Sequence, residues 1–245
     1  MKNKKAQIFA MLLVLAVIVV ITYSLFTFIT TQGFFRGVSS PKNLHALYED
    51  SLAFEMFSSN AAEISIIQSY NSIAKQNLFA PKDAVYADNH INLTGGIVNT
   101  DQLLLIQSNN SLNLLIEEYP DNKFSDMEFF AAFENSKLSF NSQKKINTEV
   151  EGNFAYSAVY FFKPNLEFSL SKLHLFSFEE IYSEAKRCKA LPTAEEIGVC
   201  INLGYYDSAV KIDGSKIFFD FSSKRNFLLD GKELTPIKIS FFLDA

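Results

Sequence analysis

The sequence predicts an α+β protein with an N-terminal transmembrane helix, a long amphipathic helix and then an antiparallel β-sheet head that contains short helices. Apolar residues first form one uncharged block, then recur every three or four positions, and in the last third of the chain recur every second position. Turn signals between the alternating runs favour hairpins, which build antiparallel sheets. We therefore divide the chain into a membrane anchor over residues 1–36, an amphipathic helical segment over 37–79 and an extracytoplasmic α+β domain over 80–245.

The anchor is predicted from the absence of charged residues between positions 6 and 35. Its core, residues 8–29, is almost wholly apolar and long enough to cross a hydrocarbon layer of about 30 Å as a helix. Three lysines precede it: Lys2, Lys4 and Lys5. By the positive-inside rule they favour a cytoplasmic N-terminus. We expect a single pass through the lipid bilayer of the cell membrane, with the rest of the chain on the outer side.

A cleaved signal peptide is the alternative to a retained anchor. The apolar run is longer than the usual signal-peptide core of about 7–15 residues. The residues that follow it, 30–35, contain no good small-x-small cleavage site. A retained helix is therefore the better interpretation.

The N-terminal segment also resembles a known processing signal. Lys4-Lys5-Ala6-Gln7, followed at once by a long apolar helix, is similar to the class III (type IV prepilin-type) signal of archaeal pilins and other archaeal surface proteins. The resemblance is limited to the N-terminal part of the chain. It implies that a membrane peptidase cuts between Ala6 and Gln7 and leaves the helix as the mature N-terminus. The sequence departs from the family at Ala6, where Gly is commoner, and at Met11, where many pilins carry a glutamate that helps assembly.

Charge argues against one class of partner. The chain has 27 acidic and 22 basic residues, a net charge of −5 and a pI of about 5.3, with no run rich in Lys or Arg. Proteins that bind nucleic acids usually carry a basic patch. We therefore expect no nucleic-acid partner.

No pattern in the sequence indicates an enzyme. The three histidines, His45, His90 and His174, fall on a predicted helix, a loop and a strand end, without the spacing of metal ligands. Asp88-Asn89-His90 is interpreted as a solvated loop, because no nucleophile motif such as Gly-x-Ser-x-Gly accompanies it. We expect no catalytic residue, no bound metal and no cofactor.

The segment after the anchor predicts a long helix. Ser40-Pro41 is a start signal, with serine as N-cap and proline at the first helical position. Apolar residues then recur at spacings of mostly three or four up to about Asn77: Leu44, Leu47, Phe54, Phe57, Ala61, Ile64, Ile67, Tyr70 and Ala74. Ser58-Ser59-Asn60 marks a candidate interruption. The simplest role is packing on the following domain, and a coiled-coil stalk or a partner-binding helix is the alternative.

The middle of the chain is harder to interpret. Only short elements are predicted over residues 80–123, because Gly95-Gly96 and Ser108-Asn109-Asn110 break the apolar runs. Ser125 and Glu128 then have the spacing of a capping box, which predicts a short helix to about Asn135.

Strands are predicted where the period changes to two. One covers residues 154–162, and a turn at Lys163-Pro164-Asn165 leads into the next. The alternation slips at Ser171-Lys172, which indicates a bulge or a change of sheet face. Asp213-Gly214 and Asp230-Gly231 lie between further alternating runs and predict turns, the first of them a hairpin.

The two cysteines lie late in two short predicted helices. Ser177 and Thr193, each followed by glutamate three positions later, open these helices as capping boxes. Outside the cytoplasm Cys188 and Cys200 are expected to form a disulfide, which would contribute about 3 kcal/mol in the chain-entropy model. Two unpaired buried thiols are the alternative.

Two triplets match the N-glycosylation acceptor pattern, Asn92-Leu93-Thr94 and Asn109-Asn110-Ser111. Together with the anchor and the disulfide, they fit a membrane-anchored surface protein. The pilin resemblance implies a subunit for adhesion or assembly that contacts copies of itself or other surface proteins. The alternative is an accessory or receptor subunit of a membrane complex. An enzyme with an unrecognised site is the third hypothesis.

Overall fold

The structure is a computed structural model that describes residues 23, 42–134, 137–150, 156–229 and 233–245. Except for Tyr23, which is helical, the predicted anchor lies outside the described residues. The predicted processing site at Ala6 and Gln7 and the turn at Asp230-Gly231 also lie outside them. Within the described ranges no helix is both long enough and apolar enough to cross a membrane.

The α+β class is confirmed. The helices of the described part are α1 (Lys42–Lys75), α2 (Thr100–Glu117), α3 (Phe178–Cys188) and α4 (Ala194–Cys200). Its strands are β1 (Tyr86–Ala87), β2 (His90–Asn92), β3 (Phe130–Glu134), β4 (Lys137–Asn141), β5 (Lys144–Val150), β6 (Tyr156–Phe162), β7 (Asn165–Ser169), β8 (Tyr206–Asp213), β9 (Lys216–Leu228) and β10 (Leu234–Asp244).

The chain forms two compact units. The first consists of Met1–Leu52 and Lys145–Tyr160, and the second of Ala53–Lys144 and Phe161–Ala245. In the described part of the first unit, the hydroxyl groups of Ser51 and Tyr160 lie 3.1 Å apart. Strands β5 and β6 form a two-stranded sheet. The five-stranded sheet, the three-stranded sheet and the cleft described below belong to the second unit.

A five-stranded sheet has the order β1-β2-β10-β9-β8 and is antiparallel except where β2 runs parallel to β10. The predicted β8–β9 hairpin is confirmed, and its loop begins at Gly214, whose φ is +60°. Asp88 and Asn89, at φ 48° and 63°, form the turn between β1 and β2. Asn and Asp tolerate this left-handed region better than most residues do. Asp88-Asn89-His90 is therefore a hairpin turn leading into a strand.

A three-stranded antiparallel sheet has the order β3-β4-β7. The turn before β7 was predicted, but β7 pairs with β4 and not with the strand that precedes it. The predicted slip at Ser171-Lys172 is a turn after the end of β7, and neither a bulge nor a change of sheet face.

The predicted short helix after Ser125 is wrong. The chain makes one turn, closed by a 3.0 Å bond from the Met127 N–H to the Phe124 carbonyl, and then extends into β3. Asn113 holds the extended backbone at Phe129, because its side-chain oxygen accepts the Phe129 N–H at 2.8 Å and its amide donates to the Phe129 carbonyl at 3.2 Å. Long-range pairing therefore overrides the local capping signal.

Helix α2 was missed, because Ser108-Asn109-Asn110 was interpreted as a break. The helix begins after Asn99, whose side chain accepts the Gln102 N–H at 3.2 Å. Its buried positions recur every fourth residue: Thr100, Leu104, Ser108, Leu112 and Ile116. Two of the five are hydroxyl residues, so the apolar periodicity is weak even though the buried face is regular.

The predicted long helix is confirmed as α1, and it continues through Ser58-Ser59-Asn60 without interruption. The buried Ser58 hydroxyl donates to the Glu55 carbonyl at 3.1 Å, and the Ser65 hydroxyl to the Ala61 carbonyl at 2.8 Å. These bonds within the helix satisfy polar groups that burial would otherwise penalise.

Aromatic rings fill the space around α1 in the second unit. Phe54 is fully buried, stacks on Phe124 at 4.8 Å and meets Tyr119 edge-on at 5.0 Å. Further along the helix, Tyr70 stacks on Phe178 at 4.5 Å. A fully buried phenylalanine stabilises a fold by about 1.5–3 kcal/mol, so these contacts make α1 a central element of the core.

A buried pair of tyrosines links α1 to the five-stranded sheet. The Tyr70 hydroxyl donates to the Phe176 carbonyl at 2.8 Å and accepts from the Tyr206 hydroxyl at 3.2 Å. Burial raises the pKa of Tyr70 well above its usual value, and the neighbouring Tyr206 raises it further. Burial also raises the pKa of Tyr206. Both side chains therefore stay neutral well into alkaline solution.

We expect Tyr70→Phe to lower the free energy of unfolding by about 1–3 kcal/mol, because it leaves both the Phe176 carbonyl and the Tyr206 hydroxyl without a partner. Tyr206→Phe is the matched control and should cost about 0.5–1.5 kcal/mol, since it removes one donor and leaves the bond to Phe176 intact. Urea unfolding of the full-length protein in detergent measures both.

The same variants have a defined pH dependence. A tyrosine in the unfolded chain loses its proton near pH 10 or so, whereas the folded pair does so only at higher pH. Stability is therefore complete below that pH and falls as pH rises above it. The double variant Tyr70→Phe/Tyr206→Phe should lose part of this alkaline decline. An unchanged decline, or a larger cost for Tyr206→Phe than for Tyr70→Phe, would contradict the assigned bonds.

Candidate functional site

A cleft of about 650 Å³ lies at one end of the three-stranded sheet. Its floor includes one row across the strands, in which Phe130 pairs with Asn141 and Asn141 pairs with Asn165. Segments 126–128, 142–144 and 163–164 complete the lining. The volume falls within the range of about 300–1,000 Å³ that is usual for small-molecule sites.

The cleft has one aromatic side chain exposed to solvent. Phe130 is 66% exposed, whereas its neighbour Phe129 is fully buried. Successive residues of a strand point to opposite faces, so Phe129 fills the core and Phe130 stands on the outer side. The ring offers a flat apolar surface to a ligand.

Carboxamide side chains provide much of the polar lining. The side chains of Asn141 and Gln143 have no hydrogen bond, ring contact or ion pair within the described residues. The Asn165 amide donates to Glu167 Oε1 at 3.3 Å, near the limit for such a bond. Each amide presents two donors and an acceptor, so these groups are available to a polar ligand.

Charges of the two signs balance in the lining, which contains Asp126, Glu128, Lys144 and Lys163. Lys144 forms an ion pair with Asp126, and this hydrogen bond holds the pKa of the Asp126 carboxyl below its usual value. The Asp126 carboxylate is therefore ionised at neutral pH, and the summed formal charge of the lining is zero.

Hydrogen bonds fix the loops that form the walls. The Ser142 hydroxyl donates to the Glu128 carbonyl at 2.6 Å. The Lys144–Asp126 pair joins the same two loops a second time. With Asn113 holding the backbone at Phe129, the lining is organised before any ligand arrives.

The predicted pair of cysteines is bonded. The sulfur atoms of Cys188 and Cys200 are 2.10 Å apart, and the Cα atoms are separated by 5.8 Å, within the range of about 4.4–6.8 Å that disulfides accept. The bond joins the ends of α3 and α4. Arg187 adds a second link, because it donates to Glu184 and to the Cys200 carbonyl, at 2.6 and 3.0 Å from one nitrogen. The pair therefore has a structural role.

The capping signals at these helices hold in different degrees. Ser177 and Glu180 form the complete capping box that the sequence predicted. Thr193 accepts the Glu196 N–H at 3.2 Å. Glu180 also lies near Asp101, whose pKa is raised by partial burial and then by the charges of Glu179 and Glu180. The glutamates Glu179, Glu180, Glu195 and Glu196 therefore lie in the first turns of helices, where negative charge is favourable. The raised pKa of Asp101 follows from its partial burial and from two of these charges.

His90 lies among polar groups of the five-stranded sheet. Its Nε2 is 3.0 Å from Asp220 Oδ1, and the Ser240 hydroxyl donates to the same oxygen at 2.5 Å. In a nucleophilic triad the serine hydroxyl donates to the histidine, which acts as its base. Here the Ser240 hydroxyl donates to Asp220 and not to His90, so the arrangement is not that of a triad. Sequence patterns could not find it, since 130 positions separate His90 from Asp220.

The other histidines have different local partners. His45 pairs with Glu49 on the exposed start of α1, and His174 occupies a turn at φ 60°. Across the described ranges no group of three His, Cys, Asp or Glu side chains could hold a metal ion.

The candidate glycosylation sites differ in environment. Asn92 ends β2, and its side-chain oxygen accepts the Thr94 N–H at 2.8 Å, at the start of a turn. Asn109 lies inside α2, and its side-chain oxygen is buried without a partner among the described residues. Acceptor asparagines lie in surface loops, which favours Asn92.

Comparison of the chain with protein-family models, with curated proteins and with solved structures gives no match in any of the three. The cleft was not predicted from the sequence. Its residues come from strands and loops spread over forty positions, and the incorrect helix after Ser125 hid the strand that carries Phe130. No local signal marked Phe130 as exposed, because a strand can bury adjacent phenylalanines on its two faces, as β10 buries Phe241 and Phe242.

If cells of the source organism glycosylate the protein, we expect the glycan on Asn92 and not on Asn109. Asn92→Gln should then remove the added mass, whereas Asn109→Gln should leave it unchanged. Mass spectrometry of glycopeptides from natively expressed protein measures this. A glycan found on Asn109 of folded protein would contradict the helical, partly buried environment of that side chain.

Proposed function

We propose that this chain is a single-pass membrane protein whose head lies outside the cell and binds a ligand there, as a pilin-like adhesion or assembly subunit. The observation that carries the proposal is the disulfide between Cys188 and Cys200, which uses both cysteines of the chain. Disulfides form and persist in oxidising compartments. A head on the outer side of the membrane, behind an uncharged helix, accounts for the bond.

The cleft supports binding as the activity of the head. The cleft is lined by a solvent-facing aromatic ring, carboxamide side chains and equal numbers of acidic and basic groups. Its one hydroxyl side chain, Ser142, does not contact a general base among the described residues. The Ser142 hydroxyl is engaged by a backbone carbonyl, and the Lys144 amine by Asp126. Such a lining can orient a ligand, whereas nucleophilic catalysis requires an activated attacking group.

A second candidate function is favoured by α1. Met56 and Ile64 are 70% and 46% exposed and stand eight residues apart on one face of the helix. Exposed apolar side chains on one helix face suit contact with a partner helix. The chain would then be an accessory or receptor subunit of a membrane complex. Isolation from native membranes separates the two candidates, since a filament supports the first and a stable hetero-complex the second.

The orientation has a direct test. Protease added to intact cells should remove the region after Arg36, because the three N-terminal lysines retain the other end in the cytoplasm. Replacement of Lys2, Lys4 and Lys5 by serine is the control variant and should produce a mixed orientation. Immunoblotting against the C-terminus measures both. Protection of the head until the membrane is lysed would contradict the proposed topology.

Processing is tested separately. If the prepilin-type resemblance holds, the mature protein begins at Gln7, lacks Lys5 and keeps its apolar helix. A plain signal anchor keeps the lysines, and an ordinary signal peptide loses the whole apolar run. Mass spectrometry of membrane-extracted protein distinguishes these N-termini. Recovery of a peptide that spans Lys5 and Gln7 from most of the protein would reject the pilin resemblance, and the anchored surface protein would remain.

A further inference from the structure

We infer that the cleft at the row Phe130–Asn141–Asn165 binds a neutral glycan, that is, an uncharged carbohydrate whose surface consists of hydroxyl groups and C–H faces. This assignment deepens the proposed surface function and rests on it for the source of the ligand. The chemistry of the cleft carries the assignment itself.

The first argument is the position of the Phe130 ring. The next row on the same sheet face contains Ala132, Ser139 and Glu167. The two nearer to Phe130, Ala132 and Ser139, have short side chains, and the Phe130 ring is 66% exposed. A sugar ring presents C–H bonds on one face, and these are attracted to the negative face of an aromatic ring.

The second argument is the chemistry and spacing of the amides. A carbohydrate hydroxyl both donates and accepts hydrogen bonds, and a carboxamide does the same. Asn141 lies directly opposite Asn165 on the neighbouring strand, and such pairs have Cβ atoms about 4.5–5.5 Å apart. The hydroxyl groups of one sugar ring span that separation. A short oligosaccharide stacked on Phe130 would therefore reach both amides, since Asn165 lies two strands, or about 10 Å, from Phe130.

The third argument is charge, which separates a neutral ligand from an anionic one. Sites for phosphate or carboxylate ligands place Arg or Lys in excess. Here two acids face two lysines, and one lysine is already paired with Asp126. An anionic ligand would meet Glu128 and Asp126 as well as Lys163. A neutral, hydrogen-bonding ligand meets no such repulsion.

Volume and rigidity agree with this ligand class. About 650 Å³ corresponds to the liquid volume of roughly twenty water molecules, which leaves room for a short oligosaccharide. The bonds from Ser142 and Lys144 to the opposite loop keep the walls in place, so little conformational freedom is lost on binding. The cleft is open to solvent, and we expect a dissociation constant on the order of 1 mM for one site.

The test uses the full-length protein in a detergent without a sugar headgroup. Neutral and acidic oligosaccharides are screened by saturation-transfer NMR, and the dissociation constants of the best ligands are measured by titration. We expect neutral glycans to bind, with little change between about 50 mM and 500 mM salt, because no net charge is neutralised. Preference for acidic glycans or inorganic phosphate, with binding lost at high salt, would overturn the inference.

Variants locate the binding to the cleft. Phe130→Ala should weaken it at least tenfold or so through loss of the stacking surface, and Phe130→Tyr should retain it. Asn141→Asp keeps the shape but removes donors, and a loss of similar size is expected. Leu114→Ala changes another side chain that is 63% exposed but lies outside the lining, and it should bind as the parent does. Because Phe130 lies outside the core, an intact disulfide and an unchanged unfolding midpoint should accompany its loss of binding.

Failure of this inference can be distinguished from failure of the proposed function. Absence of binding by any neutral glycan, or binding that Phe130→Ala leaves unchanged, would overturn the ligand assignment. Neither result alters the protease accessibility of the head. A head protected inside the cell would instead overturn the proposed function.

Discussion

Helix α1 buries one stripe of side chains near Phe54 and a wider surface from Ala61 to Ala74, and elements from distant parts of the chain cover it within the second unit. Phe54 is covered by Phe124 and Phe129, which precede β3, and Tyr70 by Phe178 and Tyr206 from α3 and β8. Each of these elements is placed by its contact with the same helix. The helix buries serines as well as aromatic rings. Their hydroxyl groups need hydrogen-bond partners, and Ser65 finds one in the Ala61 backbone carbonyl. The regularity of α1 is thus the constraint on which both the core and the sheets depend.

Local signals in the sequence predicted the elements that depend on local chemistry. The capping box at Ser177 and the glycine at position 214 hold in the structure, since each reports contacts within a few residues. Ser125 and Glu128 gave the same kind of signal and failed, because Asn113 and strand β4 hold the following backbone extended. Helix α2 was not predicted because its buried face contains the polar residues Thr100 and Ser108, so its apolar periodicity is weak. Hydrophobic periodicity cannot register a polar residue that the tertiary structure buries.

The cleft could not be predicted for a related physical reason. Its row of residues exists only once β7 has paired with β4, and the sequence placed β7 after a turn without identifying that partner. Neither Asn141 nor Asn165 has a distinctive local pattern, and the balance of four charged groups is a property of the assembled loops. Phe130 had no distinctive pattern either, because adjacent phenylalanines of a strand can both be buried, as Phe241 and Phe242 are in β10.

Weak binding at the proposed site would become effective together with the proposed anchor. A single membrane span would confine many heads to one surface, all facing outward. On a glycan-covered partner, each later contact would then form at a high effective concentration set by the first. Sites with dissociation constants on the order of 1 mM can in this way produce strong attachment without a deep pocket. An open cleft with one exposed ring and a few fixed amides suits such a surface better than an enclosed, high-affinity site, because it admits the end or the middle of a chain and releases it easily. The open cleft and the proposed N-terminal anchor would serve the same physical strategy.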